Sequence, residues 1–141
     1  MPFEHQKWEA STKESILIKK PWFEVYCESV RLPDGEVIPK YYGIKMPHYA
    51  AVFAVTEDQK IMVLRCYRHA IGEVTLTMPG GMIEKGESPL GGIQREFLEE
   101  TGYKAKEWTQ LGTFIGNSTR GCGTYHLFFT TEAKSLQKPD S

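Results

Sequence analysis

Strands grouped around one central helix, an α+β (α/β/α-type) sandwich behind a small antiparallel β subdomain, is the architecture this sequence predicts. Three observations carry it. Helix start and stop signals bracket a single stretch, from Ser88-Pro89 to Gly102. Short apolar or alternating runs separated by turn residues fill most of the remainder. One near-continuous apolar run, Tyr49 to Val55, has the character of a central strand buried on both faces.

Residues 1–14 are polar and mixed in charge and read as a frayed lead-in, with Phe3 and Trp8 as its apolar side chains. Residues 15–48 form the β subdomain. Ile16-Leu17-Ile18 is a short strand, and Trp22 to Cys27 mixes aromatic and polar residues in partial alternation. Val30 to Leu32 runs into Pro33-Asp34-Gly35, a turn in which Pro presets φ, Asp bonds its own backbone and Gly accepts positive φ. Val37-Ile38 and Tyr41 to Ile44 return as the partner strand.

Residues 49–141 form the main domain. After Tyr49–Val55 come a polar turn, a paired strand over Ile61 to Cys66, and a short strand over Val74 to Met78. Beyond the helix, Trp108 to Ile115 and Tyr125 to Thr130 read as strands flanking a Gly-rich loop, and the tail from Thr131 is polar.

The helix holds the chemistry. Ser88 can cap free N–H groups and Pro89 suits the first helical position. Gly102 suits the left-handed stop. Leu90, Ile93 and Phe97 make one apolar face, while Glu96, Glu99 and Glu100 fall within an arc of roughly 100° elsewhere on the helix. No Lys follows one turn later on that face of the helix to relieve them, and like charges at this spacing cost a few tenths of a kcal/mol per pair. A solvated acidic face is the plain reading of such a helix; a hard divalent cation, which prefers carboxylate and carbonyl oxygens, is the functional one. Pro79-Gly80-Gly81 favours the second, since adjacent glycines let the backbone approach a ligand closely. Glu87 stands immediately before the cap.

Gly81, Glu87, Arg95, Glu96, Glu99, Glu100 and Gly102 together reproduce the Nudix box, Gly-x5-Glu-x7-Arg-Glu-U-x-Glu-Glu-x-Gly-U, with only the last apolar slot departing as Tyr103. Outside the box, Lys20-Pro21-Trp22, Leu32-Pro33-Asp34-Gly35 and Val63 to Arg68 resemble the ADP-ribose pyrophosphatase and nucleoside-diphosphate-sugar hydrolase branch of that superfamily, over residues 15–131. The resemblance implies the Nudix fold and a Mg²⁺- or Mn²⁺-dependent pyrophosphohydrolase acting on a small nucleotide substrate. It also implies a homodimer built through the N-terminal strands.

Carried over residue by residue, the resemblance makes Glu96 and Glu100 metal ligands, with the Gly80 carbonyl as a backbone ligand. Glu99 is a further ligand or the group that polarises the attacking water, and Arg95 with Glu87 is a buried ion pair that orients loop against helix. Gly81 belongs to the substrate-facing turn. Arg68 can fork onto a phosphate, against the reading of a plain surface Arg. Trp22 can stack on a purine base, or equally serve a core or dimer interface. His126, inside an apolar strand, is read as a satisfied core histidine and Cys66 as a buried thiol.

The chain also departs from the branch. The loop Gly116 to Tyr125 has no acidic residue where many relatives carry a further Glu, and Thr77 stands where relatives often have a Glu. Relatives continue past a Pro-Asp such as Pro139-Asp140 into another strand and a closing helix, so the domain reads as truncated at its C-terminus with that helix missing. Two other functions share the residues: a MutT-like nucleoside triphosphate pyrophosphatase, and a non-catalytic Nudix nucleotide-binding module. The complete box favours catalysis.

Composition narrows the class. At 141 residues the chain can bury roughly two thirds of its unfolded surface. A formal net charge of −1 gives no reason to expect a nucleic-acid partner. No run of about 18 apolar residues suggests a membrane span. Cys27, Cys66 and Cys122 fit neither a disulfide framework nor a zinc site, which points to a reducing cytoplasm.

Overall fold

The computed structural model describes residues 6–140. The chain divides into two units, one comprising the chain up to Pro47 together with Ile115–Gly123, the other His48–Phe114 together with the chain from Thr124 onward.

The first unit is a four-stranded antiparallel sheet of β1 (Glu9–Ala10), β2 (Glu14–Lys19), β3 (Phe23–Arg31) and β4 (Val37–Lys45). β3 is its spine: β1 and β2 pair with it along with β4. The β3–β4 turn follows the chemistry of its residues. Gly35 takes φ 90°, the Asp34 carboxylate accepts from the Glu36 N–H at 3.0 Å, and Leu32 and Glu36 close the turn with a 2.8 Å backbone bond. The lead-in is more ordered than its polarity suggested. Ser11 and Ser29 exchange two 2.9 Å hydrogen bonds, and Trp8 meets Tyr41 edge to face; Phe3 lies outside the described residues. β2 is exposed along its whole length, including Ile16, Leu17 and Ile18. The Gly-rich loop joins this unit, where the Arg120 carbonyl accepts from Ile44 N–H at 2.8 Å and the Tyr41 hydroxyl donates to Thr119 O.

The second unit holds β5 (Tyr49–Thr56), β6 (Leu64–Arg68), β7 (Glu73–Thr77), β8 (Gly80–Met82), α1 (Pro89–Thr101), β9 (Tyr103–Lys104), β10 (Thr109–Ile115) and β11 (Thr124–Ser135). Its main sheet is mixed, in the order β10-β11-β5-β8 with β9 on the far end of β11, and β6 and β7 form a separate hairpin. β5 and β11 run parallel, Tyr49 opposite Tyr125 through Ala54 opposite Thr130, whereas β8 returns antiparallel along β5.

β5 is not buried on both faces. Ala50, Val52, Ala54 and Thr56 are buried beneath the helix, while Tyr49, Ala51, Phe53 and Val55 on the opposite face are only half-buried. There Tyr49 stacks on Tyr125 and Phe53 on Phe129, the cross-strand aromatic pairing that favours a β ladder. Two strand limits also differ from the sequence reading. The strand expected from Ile61 begins at Leu64, because Ile61 and Met62 are engaged with Val55 and Ala54 instead. The last strand continues to Ser135: a bulge between Thr130 and Ala133, with Glu132 at φ 54°, returns Ala133 to the core opposite Thr56.

α1 begins and ends where its cap residues place it. Ser88 Oγ accepts from Gly91 N–H at 3.0 Å, and Gly102 takes φ 72° while donating to Leu98 O. Ile93 and Phe97 are wholly buried against Ala50, Val52, Ala54 and Phe128, and Trp108 meets the Phe97 ring edge-on at 5.5 Å. Leu90, on the same sequence face, stays 40% exposed. Phe97 therefore fixes the height of the helix above the sheet. Phe97→Ala is expected to cost about 3–5 kcal/mol, read as a lower urea midpoint with unchanged slope.

Candidate active site

The acidic helix face is held by the residue that precedes it. Arg95 uses all its donor N–H groups at once. Nε and Nη2 donate to the two oxygens of Glu87 at 3.0 and 3.1 Å, and Nη2 also reaches the Met82 carbonyl at 3.1 Å. Nη1 donates to Glu96 Oε1 at 2.9 Å and to Glu99 Oε2 at 3.1 Å. The Arg95–Glu87 pair expected from the sequence is thus present, half-buried rather than sealed from solvent. Relief of the acidic cluster comes from within the helix: Arg95 lies one turn before Glu99 and adjacent to Glu96, and serves both. Hydrogen bonding to Glu87, then to Glu96, binds the Arg95 proton more firmly still, and the same bond holds the Glu87 carboxyl below the usual carboxylate range.

Glu100 turns elsewhere. Its Oε2 accepts from Gly80 N–H at 2.8 Å, joining the helix to the glycine turn. Burial raises its carboxyl above the ordinary range. The Gly80 N–H and the charge of Arg68 oppose that rise, and Glu96 and Glu99 add to it. Gly80 is a steric requirement: at φ 153° a Cβ there would stand 2.2 Å from the Ala50 carbonyl oxygen, so only hydrogen lets β8 pair this closely with β5. A Cβ on Gly81 would stand 2.4 Å from the Glu96 carboxylate, so a side chain there would push that carboxylate aside.

Arg68 ends β6, and its Nη2 reaches Thr77 Oγ1 at 3.4 Å; its charge acts on Glu100, so it belongs to the same neighbourhood. Trp22 lies in the other unit, 62% exposed, outside this hydrogen-bonded group. Sequence reading also missed two backbone participants. The Met82 carbonyl and the Glu84 N–H, which donates to Glu87 Oε2 at 3.0 Å, tie the loop between β8 and α1 to the ion pair. No side-chain signal marks such groups. His126 is half-buried rather than in the core; its Nδ1 lies 3.3 Å from Thr113 Oγ1, and burial, then the neighbouring His48, lower its pKa. Cys66 is likewise half-exposed, and none of the three cysteines is paired.

The donor set suits a hard divalent cation. Glu96 Oε2, Glu99 Oε1 and Glu100 Oε1 have no hydrogen-bond partner among the described residues, and all are carboxylate oxygens beside a turn that admits no side chain at Gly80. Among the described residues no three His, Cys, Asp or Glu side chains already converge on one point. Glu96 and Glu99 lean to Arg95 and Glu100 to Gly80.

A glycine turn clasped to an acidic helix on a mixed sheet defines a hydrolase class, and comparison with known proteins agrees. Residues 46–141 match the family model of the NUDIX domain. An ADP-ribose pyrophosphatase of Bacillus subtilis is 32% identical over 133 residues, 91% of this chain and 71% of that protein. A methanol dehydrogenase activator of Bacillus methanolicus is 31% identical, covering 84% of this chain and 62% of that one. An ADP-ribose pyrophosphatase of Mycobacterium tuberculosis is 30% identical, covering 84% and 58%. The chain thus spans about three fifths to seven tenths of these relatives. A solved structure described as an ADP compounds hydrolase superposes with a TM-score of 0.78 over 96% of this chain and 74% of its own; at 18% identity it speaks for the fold. The chain belongs to the NUDIX family and is a pyrophosphohydrolase of that class.

The depressed Glu87 carboxyl sets a pH test. A lowered native pKa adds stability above the unfolded value, near 4.3, and that stability is lost as pH falls through the native value. Glu87→Gln is expected to melt below wild type at pH 7, with the gap narrowing as pH falls below the unfolded value and through the lower native one, as followed by circular dichroism melts across pH.

Proposed function

We propose that this protein hydrolyses the pyrophosphate bond of a nucleoside diphosphate joined to another group, ADP-ribose or a nucleotide sugar, with Mg²⁺ or Mn²⁺ bound through Glu96, Glu99, Glu100 and the Gly80 carbonyl. The observation that carries the reading is the clasp of Glu100 on Gly80, a position closed to any side chain, beside Glu96 and Glu99. The substrate class is supported by two relatives named ADP-ribose pyrophosphatase. When bound, the cation would neutralise phosphate oxygens and lower the pKa of a coordinated water.

The chain's own residues do the rest. Arg95 and Glu87 lock the loop so that Gly80 and Gly81 present backbone at the diphosphate. Arg68, with Thr77 fixing one edge, offers a guanidinium to a phosphate oxygen. Water adds to one phosphorus, the bridging P–O bond breaks, and the other phosphate departs as an anion. Where Glu99 does not ligate the cation, its free oxygen, on a side chain 44% exposed, is the group proposed to take the proton that water gives up.

The N-terminal sheet supports the further proposal of a homodimer. β2 has one face of its ladder unpaired among the described residues and exposes Ile16 and Ile18, the edge that invites a second strand. Trp22 is proposed to stack on the base from this unit. A reducing cytoplasm is proposed from the three unpaired cysteines, and no helix among the described residues is long and apolar enough to cross a membrane.

A substrate panel tests the chemistry: ADP-ribose, nucleotide sugars, dinucleotides and triphosphates, each with Mg²⁺ or Mn²⁺. Turnover of diphosphate conjugates is expected, with Glu100→Gln lowering kcat by at least about 10²-fold while its melting point in chelator stays at or above wild type, since a buried crowded charge is removed. Turnover of triphosphates alone would move the protein to the MutT-like class, and binding without turnover to the sensor class. Light scattering is expected to give twice the 16.1 kDa chain mass, falling to the monomer in Ile16→Lys/Ile18→Lys.

A further inference from the structure

The two sides of the Arg95 guanidinium are held differently. Nε and Nη2 bind only the loop before the helix, through Glu87 at 3.0 and 3.1 Å and the Met82 carbonyl at 3.1 Å. Glu87 is independently fixed by the Glu84 N–H at 3.0 Å. Nη1 binds only helix carboxylates, Glu96 at 2.9 Å and Glu99 at 3.1 Å. Glu96 has 18% and Glu99 44% of its side chain exposed, so both have room to turn. Glu100 is bonded to Gly80 N–H and not to Arg95, and no three acidic groups converge among the described residues.

Because the acidic groups do not converge as they stand, a hard cation drawing on Glu96, Glu99 and Glu100 together needs these carboxylates to move. The Nη1 bonds are the ones that hold Glu96 and Glu99 in place. The cation's double charge outcompetes one shared guanidinium edge for hard oxygens, whereas the Nε/Nη2 edge, with three bonds to a fixed loop, has no reason to let go. We propose that the Nη1 side of Arg95 is an exchangeable counter-cation. It pairs Glu96 and Glu99 until a divalent ion takes them, while the opposite side keeps the loop in register throughout. Arg95 is then a positioning residue with two separable duties, and the metal affinity of the site is set partly by bonds that must be broken before the ion is held. The inference rests on the metal-dependent reading above.

The test follows Arg95 by nuclear magnetic resonance of the arginine-labelled full chain during Mg²⁺ titration, with calorimetry on the same sample. Its side-chain signals are assigned through Overhauser contacts to Glu87 and Met82. At saturation the Nη1 protons are expected to shift and exchange with solvent, while Nε–H keeps its shift and protection. A crystal structure with Mg²⁺ is expected to show Nη1 more than about 3.5 Å from Glu96 Oε1, beyond hydrogen-bond reach, with the Glu87 contacts retained. Calorimetric saturation with Nη1 unchanged would overturn the exchange and leave the metal reading intact. No heat of binding with Mg²⁺ or Mn²⁺, at any concentration that supports turnover, would overturn the metal reading and the exchange with it.

Discussion

One guanidinium holds this site in shape. Arg95 is the point at which the loop after β8, the cap of α1 and the acidic face of α1 meet, and every donor it has is engaged. Lysine could not substitute for it, since a single ammonium cannot serve two directions in a plane. The arrangement also answers an electrostatic problem. Glu87, Glu96, Glu99 and Glu100 gather on one helix and its lead-in, and a cluster of that sign at an apolar sheet would force carboxyls to protonate or splay. The guanidinium in the middle pairs with Glu87, Glu96 and Glu99, while Glu100 is held by the Gly80 N–H and burial pushes its carboxyl up.

The apolar side of the helix matters for the same geometry. Ile93 and Phe97 rest on Ala50, Val52 and Ala54, small residues that let the helix lie close to the sheet. The same face carries the glycines of β8, so closeness bought by alanine in the core becomes a narrow gap under the carboxylates. Packing and chemistry share one constraint, the height of α1 above the sheet.

Much of this was legible in the sequence because it depends on local rules. Ser88, Pro89 and Gly102 delimit α1 through capping and φ preferences that need no tertiary information. Pro33-Asp34-Gly35 makes its turn for the same reason. The fixed spacing of Gly81, Glu87, Arg95, Glu96, Glu99 and Glu100 placed the candidate site before any coordinates. What escaped was nonlocal or lay in the main chain. β5 looked buried on both sides because apolar content does not reveal whether a second layer covers the far face. The extension of β11 depends on Glu132 adopting a positive φ, against the polar character of Thr131 to Ser135. The Met82 carbonyl and Glu84 N–H carry no residue signature at all. The link from Arg95 to Glu99 follows four-residue spacing, but spacing alone does not tell that one guanidinium serves Glu87 and Glu99 at once.

The end of α1 has its own dependence on distant chain. Gly102 O accepts from Leu136 and Gln137 N–H at 2.8 and 3.1 Å, and Glu99 O accepts from Asp140 N–H at 2.8 Å. A side chain at 102 would meet the Gln137 carbonyl at 2.0 Å, so the segment lies flush against the helix terminus. Terminal carbonyls that would otherwise fray into water are thus clamped by residues some forty positions later, on the very turn that bears Glu99 and Glu100. Stiffness at the candidate site is lent by a strap that makes its bonds to the back of the helix terminus through main chain alone, and evolution or engineering could retune the one by editing the other.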